Sequence, residues 1–380
     1  MKTKKAMKKI LIYSILTVFC SVLMAQNVKI EKNSDRSFHF NEGDKIDIVN
    51  KYGEIIVRTW MKDSVRIKVK TEAHGKTQET VNREMRRVEL EFRKIGDIIS
   101  GVTNFDRGRT GLFGNLLNQV EDYSKSIVGG SRITVDYELW VPVKATLTLE
   151  NKFGDIYLAD LDGKVTIDLS HGDLRANSIG DELSLRHSFG KNTFDYIKKG
   201  ELILRGADTR INRADRLEFE SSSSEIDIST IDFLRINSRN DKFFIEEASK
   251  IAGEGSFTDM TLDYVIDHVD LEFNYGDVYL SRIDRDFTSI ALTGKSSDIN
   301  LILDQASYIK TYISGEEERM ILPNSMLVLS REKLNEENNI SLSGFVGNTN
   351  TNHSNLEINA QGGELIISIK ETTMFTNKDE

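Results

Sequence analysis

The chain has 380 residues, of which 50 are basic and 60 acidic, giving a formal charge of −10, with one cysteine, six histidines and two prolines. That balance argues against nucleic acid, whose phosphates reward a basic patch. One cysteine allows no internal disulfide, and two prolines leave no Pro-rich linker or stalk.

The first 25 residues run from Lys2, Lys4, Lys5, Lys8 and Lys9 through the apolar stretch Ile10 to Met24 and end on Ala25. This is the pattern of a secretory signal peptide. Gln26 and Asn27 follow at once, and the apolar run falls short of the roughly 20 residues of a spanning helix. Cleavage after Ala25 is expected. Lipidation at Cys20 is the competing reading, disfavoured by the bulky Phe19 before it. Losing the leader removes five lysines, no acid and the cysteine, which moves the formal charge from −10 to −15. The mature chain is then an exported protein with no thiol chemistry, in the periplasm, at the outer-membrane surface or outside the cell. No other apolar run is long enough to span a membrane.

Residues 26–150 read as an N-terminal β region. It holds the segment Asn50-Lys51-Tyr52-Gly53-Glu54-Ile55, which is repeated further on, and a strand at Ser64 to Lys70. From about Thr71 to Ser131 the strand rhythm breaks. Val81, Met85 and Val88 fall at helical spacing among charges, which predicts one amphipathic helix over about 76–88. The Gly-rich stretch from about 101 to 130 reads as a flexible loop, with an apolar quartet, Leu112, Phe113, Leu116 and Leu117, as a possible contact with a partner or a membrane. Alternation of Ile133, Val135, Tyr137 and Leu139 then predicts a strand from Arg132 to Val141.

Residues 151–314 repeat. Asn151-Lys152-Phe153-Gly154-Asp155-Ile156, Leu169-Ser170-His171-Gly172-Asp173-Leu174 and Phe273-Asn274-Tyr275-Gly276-Asp277-Val278 are copies of one motif. The residue after the glycine recurs, through weaker copies, as Asp155, Asp173, Lys191, Asp208, Glu225, Lys242, Asp259, Asp277 and Asp298, mostly 17 or 18 residues apart. Steady spacing of this kind is the signature of a stacked array. Three residues after each of these markers stands an apolar residue in every copy, from Leu158, Ala176 and Phe194 to Leu280 and Leu301. Six residues after it the apolar choice recurs from Leu161 to Ile283 and fails only at Asp304. A second alternating run follows, so each repeat carries two short strands. Such short units bury an apolar face only against the units above and below. The expected fold is therefore all-β: a single-stack, β-helix-like β-solenoid of about nine or more coils of 17–18 residues, with one helix-containing insertion near the N-terminus. Gly53, Gly154, Asp155, Gly172, Asp173, Gly276 and Asp277 mark its corners, the glycines accepting positive φ and the aspartates binding nearby amides. Residues 315–380 read as an irregular capping region ending in the strand-like Leu365 to Ile369.

Stacked corner acids suggest calcium, but Lys191 and Lys242 interrupt the column and the calcium β-roll motif is missing, so neither metal nor cofactor is expected. The residue before each corner glycine is often a ring: Tyr52, Phe153, His171, Phe189, Phe257 and Tyr275. Pointing outward these rings make a platform suited to sugars; pointing inward they make a stabilising ladder, the favoured reading. The histidines lack metal-ligand spacing, and neither a nucleophile elbow nor a phosphate loop occurs. An enzyme is not expected.

With its Asn-Lys-Tyr-Gly-Glu-Ile and Asn-Lys-Phe-Gly-Asp-Ile copies, the helix-bearing interruption and the strand Val135 to Pro142, the chain resembles the bacterial putative-adhesin family of β-solenoid domains over roughly Lys45 to Leu303. The resemblance implies an adhesin-like role at the surface or in the periplasm, with a surface protein or glycan as partner, and supplies no catalytic residues. A carbohydrate-active solenoid enzyme and an envelope module working with a membrane partner are the alternatives.

Overall fold

The computed structural model describes residues 28–105, 132–304, 308–334, 338–347 and 354–370. The leader, the quartet Leu112, Phe113, Leu116 and Leu117, and most of the 101–130 stretch lie outside the described residues. The all-β expectation holds, with one α-helix, Gln78–Arg87, among the described residues. None of those residues belongs to a helix long and apolar enough to cross a membrane.

Two compact units divide the chain. The first comprises Met1–Ser34, Val69–Glu91 and Thr103–Asp136. It holds the helix, which Thr77 caps by accepting the Thr80 amide at 3.2 Å. Val81 is buried and Arg87 pairs with buried Glu84 at 2.9 Å. Val88, placed on the helical stripe by its spacing, instead opens the strand Val88–Ile95, because a β-branched residue after two arginines favours extended backbone. Glu72 gathers Lys29 at 2.8 Å, Lys70 at 3.1 Å and His74 at 3.3 Å. Hydrogen bonds from the two lysines draw its carboxyl down to about 2.

The second unit comprises Asp35–Lys68, Phe92–Val102 and Tyr137–Glu380. Its strands lie in parallel on the copies of themselves one repeat later. Val165–Ser170 pairs with Leu183 to Ser188 above and with Leu147 to Lys152 below. Glu225–Arg239 pairs almost without a gap with Lys242–Ser256, which pairs with Asp259–Asn274. Pairing therefore runs nearly right round each repeat, further than two short strands. Every member of the +3 column, from Leu158 to Leu301, and of the +6 column, from Leu161 to Ile283, is buried. These two columns form the core together with the second strand's alternating residues, such as Leu149, Ile167 and Leu185, and each rung covers the apolar side chains of the next.

Two insertions interrupt the chain without interrupting this stack. Lys45–Lys51 pairs residue for residue with Thr146 to Lys152, so the earliest copy of the motif lies directly against the next although about 100 residues separate them. At the other end Ser289–Lys295 pairs with Asn355 to Gln361 and Ile299–Asp304 with Leu365–Lys370. Residues 354–370 are thus a further rung in register, with Gly362-Gly363-Glu364 at its corner, and not an irregular cap. Beyond this rung, Ile309–Glu316 pairs in parallel with Ser354 to Ala360 and antiparallel with Asn339–Val346, which pairs antiparallel with Leu327–Lys333. Gly101 to Phe105 also differ from the loop expected of them, since they belong to the strand Ile98–Phe105, whose first five residues pair with Lys45 to Val49.

Candidate functional site

Where each repeat turns its motif corner, one residue takes the left-handed conformation. Tyr52, Phe153, His171, Phe189, Gly206, Ser223, Asn240, Phe257, Tyr275, Ser296 and Gly362 all have φ between +51° and +76°. The corner is held by the next rung: the Phe153 amide donates to Ser170 O at 2.9 Å, His171 to Ser188 O at 3.0 Å, Phe257 to Asn274 O at 2.8 Å and Tyr275 to Lys295 O at 3.0 Å. Each bond closes on the carbonyl just ahead of the next corner and offsets the cost of the αL conformation, about 1–2 kcal/mol for a residue with a Cβ.

The corner glycines do something other than the sequence suggested. Gly53, Gly154, Gly172 and Gly276 are not at positive φ; the ring residue before each is. Their need is close approach. A Cβ on Gly154 would stand 2.0 Å from Gly53 O, on Gly172 2.2 Å from Gly154 O, and on Gly276 2.0 Å from Thr258 O. Backbone meets backbone there, with no room for a methyl.

The corner aspartates bind amides across rungs. Asp155 Oδ1 accepts the Asp173 amide at 2.8 Å, Asp173 Oδ1 the Lys191 amide at 3.0 Å and Asp298 Oδ1 the Glu364 amide at 2.8 Å. Asp277 joins the same ladder, accepting the Asp298 amide at 3.4 Å. A lysine marker therefore closes the ladder as a donor but cannot continue it. Among the described residues no group of three or more His, Cys, Asp or Glu side chains is placed to hold a metal ion.

Where the glycine is replaced, a different solution appears. Asp241, 2% exposed, accepts hydrogen bonds from Ser221 Oγ at 2.7 Å, Ser238 Oγ at 2.6 Å and the Ser224 amide at 2.7 Å. Ser224 Oγ in turn accepts the Ala207 amide at 3.1 Å. Buried side chains also serve the corner carbonyls of the early rungs. Asn151 Nδ2 donates to Gly53 O at 2.8 Å and Gly154 O at 2.9 Å, and His187 Nε2 lies 2.9 Å from Gly172 O. Burial pushes the His187 ring below its ordinary value and favours the neutral form. Little in the residue pattern signals these roles; the run Ser221 to Ser224 is the available clue.

Beside this scaffold stand the rings, facing outward and stacked at once. Tyr52 and Phe153 are 5.6 Å apart, Phe153 and His171 5.1 Å, His171 and Phe189 5.1 Å, and Phe257 and Tyr275 5.1 Å, with planes within 22° of parallel. Phe189, Phe257 and Tyr275 are 57%, 55% and 60% exposed. The inward ladder expected from sequence is thus corrected: αL backbone at the corner swings the side chain out of the stack, and rings on neighbouring rungs then meet at nearly the rung spacing. Lys51 Nζ caps the first ring 4.4 Å from its centroid.

On the outer face of the same rungs lies a groove of about 630 Å³, walled by Glu201, Glu218, Glu220, Glu254, Asp270 and Glu272 with Arg235 among them, and floored by Ala252 and Gly253. Arg216 pairs with Glu218 at 3.0 Å and Lys295 with Glu272 at 2.5 Å. Its one aromatic residue, Phe219, is buried, whereas the exposed rings sit at the corner.

No protein-family model matches this chain, and no curated protein does. Solved structures resemble it distantly. A putative adhesin from Parabacteroides distasonis is 7% identical, with 71% of this chain and 97% of that one covered at a TM-score of 0.33. A putative adhesin from Bacteroides fragilis is 11% identical, over 71% and 97% at 0.28, and a putative cell adhesion protein from Clostridium sporogenes 12%, over 90% and 100% at 0.18. These solved structures are bacterial proteins described as putative adhesins or as a putative cell adhesion protein.

Proposed function

We propose that the protein is an exported, noncatalytic, adhesin-like β-solenoid scaffold of the bacterial envelope or surface, whose regular flank binds a protein or a glycan. In this reading residues 1–25 are the leader, 26–150 an N-terminal β region, 151–314 the repeats and 315–380 the terminal region that contributes a further rung. The observation that carries it is the corner column of rings. Phe189, Phe257 and Tyr275 leave more than half of their surface in water, although burial of an aromatic ring is worth a few kcal/mol. A periodic exposed aromatic row on a rigid backbone is suited to contact with a ligand. The quartet Leu112, Phe113, Leu116 and Leu117 is a second contact in this reading, toward a membrane-associated partner.

The acidic groove supports a carbohydrate-active enzyme less well, because its walls carry no exposed aromatic residue to seat a sugar beside the carboxylates. One experiment separates the readings. The purified chain is applied to arrayed glycans and envelope proteins, with and without calcium, and any bound glycan is assayed for cleavage. Selective binding without turnover is expected. Cleavage overturns the noncatalytic reading, and absence of any binding overturns the scaffold's role as a receptor.

A further inference from the structure

The ring column is interrupted at three successive corners, Gly206, Ser223 and Asn240, between Phe189 and Phe257. One face of Phe189 is stacked on His171, and the other looks over Gly206, whose Cβ position lies 3.3 Å from the ring. Phe257 is stacked on Tyr275. Phe189 and Phe257 therefore bound one interval without rings, about 19 Å apart if four rungs keep the usual strand spacing. The interval's own polar groups are small: Asn240 Nδ2 donates to Ser223 Oγ at 3.3 Å.

Charge is divided across this corner. The column just ahead of the rings contains Lys51, Lys152, Arg205, Arg239 and Lys295 and no acidic residue, whereas the marker column just beyond them is mainly acidic. Arg205 and Arg239 flank the interval two rungs apart, both exposed, and neither is ion-paired among the described residues. Asp208 and Glu225 stand on the far side, between Lys191 and Lys242. An anion entering the interval is drawn to the exposed arginines. A ligand suited to this arrangement offers an apolar ring face to Phe189 and carboxylates to the arginines.

We propose that the interval from Phe189 to Phe257 is a binding site for a uronic-acid glycan, one sugar ring lying on Phe189 over Gly206 and two of the glycan's carboxylates held by Arg205 and Arg239. This rests on the scaffold reading above and names the class of ligand. Gly206 matters because it carries no side chain. Its φ of +58° matches the +63° of Phe189 and the +54° of Phe257, so Gly206→Phe extends the ring stack and occupies the sugar's place.

The test titrates the purified full chain with tetramers of galacturonate and mannuronate and, as a neutral comparison, a tetramer of β-1,4-linked glucose. A uronate is expected to bind and the neutral tetramer not. Arg205→Ala and Arg239→Ala should each weaken binding about tenfold, the loss of one charge-assisted contact. Gly206→Phe should abolish it, with Phe189→Ala as the second variant should Gly206→Phe melt early. The proposal is overturned if no uronate binds, or if binding ignores these changes. A glycan or protein bound elsewhere, insensitive to Gly206→Phe, overturns this site and leaves the scaffold reading standing; absence of binding to every arrayed partner overturns both.

Discussion

Replacing Gly172 with alanine asks what the corner glycine is for. Its φ is unexceptional, so alanine meets no backbone objection of its own; the new methyl would lie 2.2 Å from Gly154 O, and that oxygen is backbone. No rotamer change relieves such a contact, so the rungs must part by nearly an ångström. The bonds that cross there include Phe153 N to Ser170 O at 2.9 Å, Ile156 N to Asp173 O at 2.8 Å and Asp173 N to Asp155 Oδ1 at 2.8 Å. Weakening two neutral bonds and one to a carboxylate forfeits about 3–5 kcal/mol. Gly43 is the matched control: its φ is +91° and a Cβ there would meet nothing within 4 Å, so Gly43→Ala isolates the conformational penalty, about 1–2 kcal/mol. Urea unfolding of the full chain, followed by far-UV circular dichroism, compares the two. A loss at Gly172 no larger than that at Gly43 would refute the close-approach argument.

Asp241→Ala strands two serine hydroxyls and the Ser224 amide in a buried corner and should cost about 3–5 kcal/mol, whereas exposed Asp277→Ala should cost under about 1 kcal/mol, both read from unfolding midpoints. Glu182 bridges two rungs through Lys164 at 2.8 Å and Lys199 at 2.6 Å, and these bonds lower its carboxyl to about 2. Its contribution is present above the ordinary carboxylate value and fades as pH falls toward 2, so Glu182→Gln should flatten stability against pH in that window. Because both lysines are more than half exposed, a double-mutant cycle should give less than about 1 kcal/mol per pair. His187 gives the corresponding signal nearer neutrality. Burial lowers its value, so the unfolded chain binds the proton first and stability declines as pH falls below about 6.5. His187→Leu, which matches Leu169 one rung away, should remove that decline while lowering stability at pH 8 by about 1–2 kcal/mol through the unpaired Gly172 carbonyl.

The core was legible in the sequence because burial imposes a pattern on residue type: the +3 and +6 columns are apolar copy after copy, and each is buried. The corner was only half legible. A small residue is enriched there whether the demand is torsional or steric, so composition alone assigned the positive φ to Gly172 when His171 bears it. Ring direction followed from that same torsion and was equally hidden. The rung of residues 354–370 escaped because its marker, Glu364, comes 66 residues after Asp298, beyond any steady period, although Gly363-Glu364 keeps the small-plus-acidic rule. Asp241 was hidden for the opposite reason: an acid in the glycine column looks like a degenerate copy, and only its bonds to Ser221 and Ser238 make it a corner of a second kind.

The two insertions have a kinetic consequence. Within the repeats, a rung closes on the next after 17 or 18 residues; Lys51 must find Lys152 across 101, and Asp298 must find Glu364 across 66. For a flexible chain the longer closures cost about 1.5 and 1 kcal/mol more than a local one. Folding should therefore nucleate among the local rungs between Thr146 and Asp304 and recruit the rungs of Lys45–Lys51 and Leu365–Lys370, with the strands paired outside them, last. Those regions are then the first to open in native-state hydrogen exchange, which makes the ends of the stack, rather than its ring-bearing middle, the place where the fold exchanges its protection for freedom.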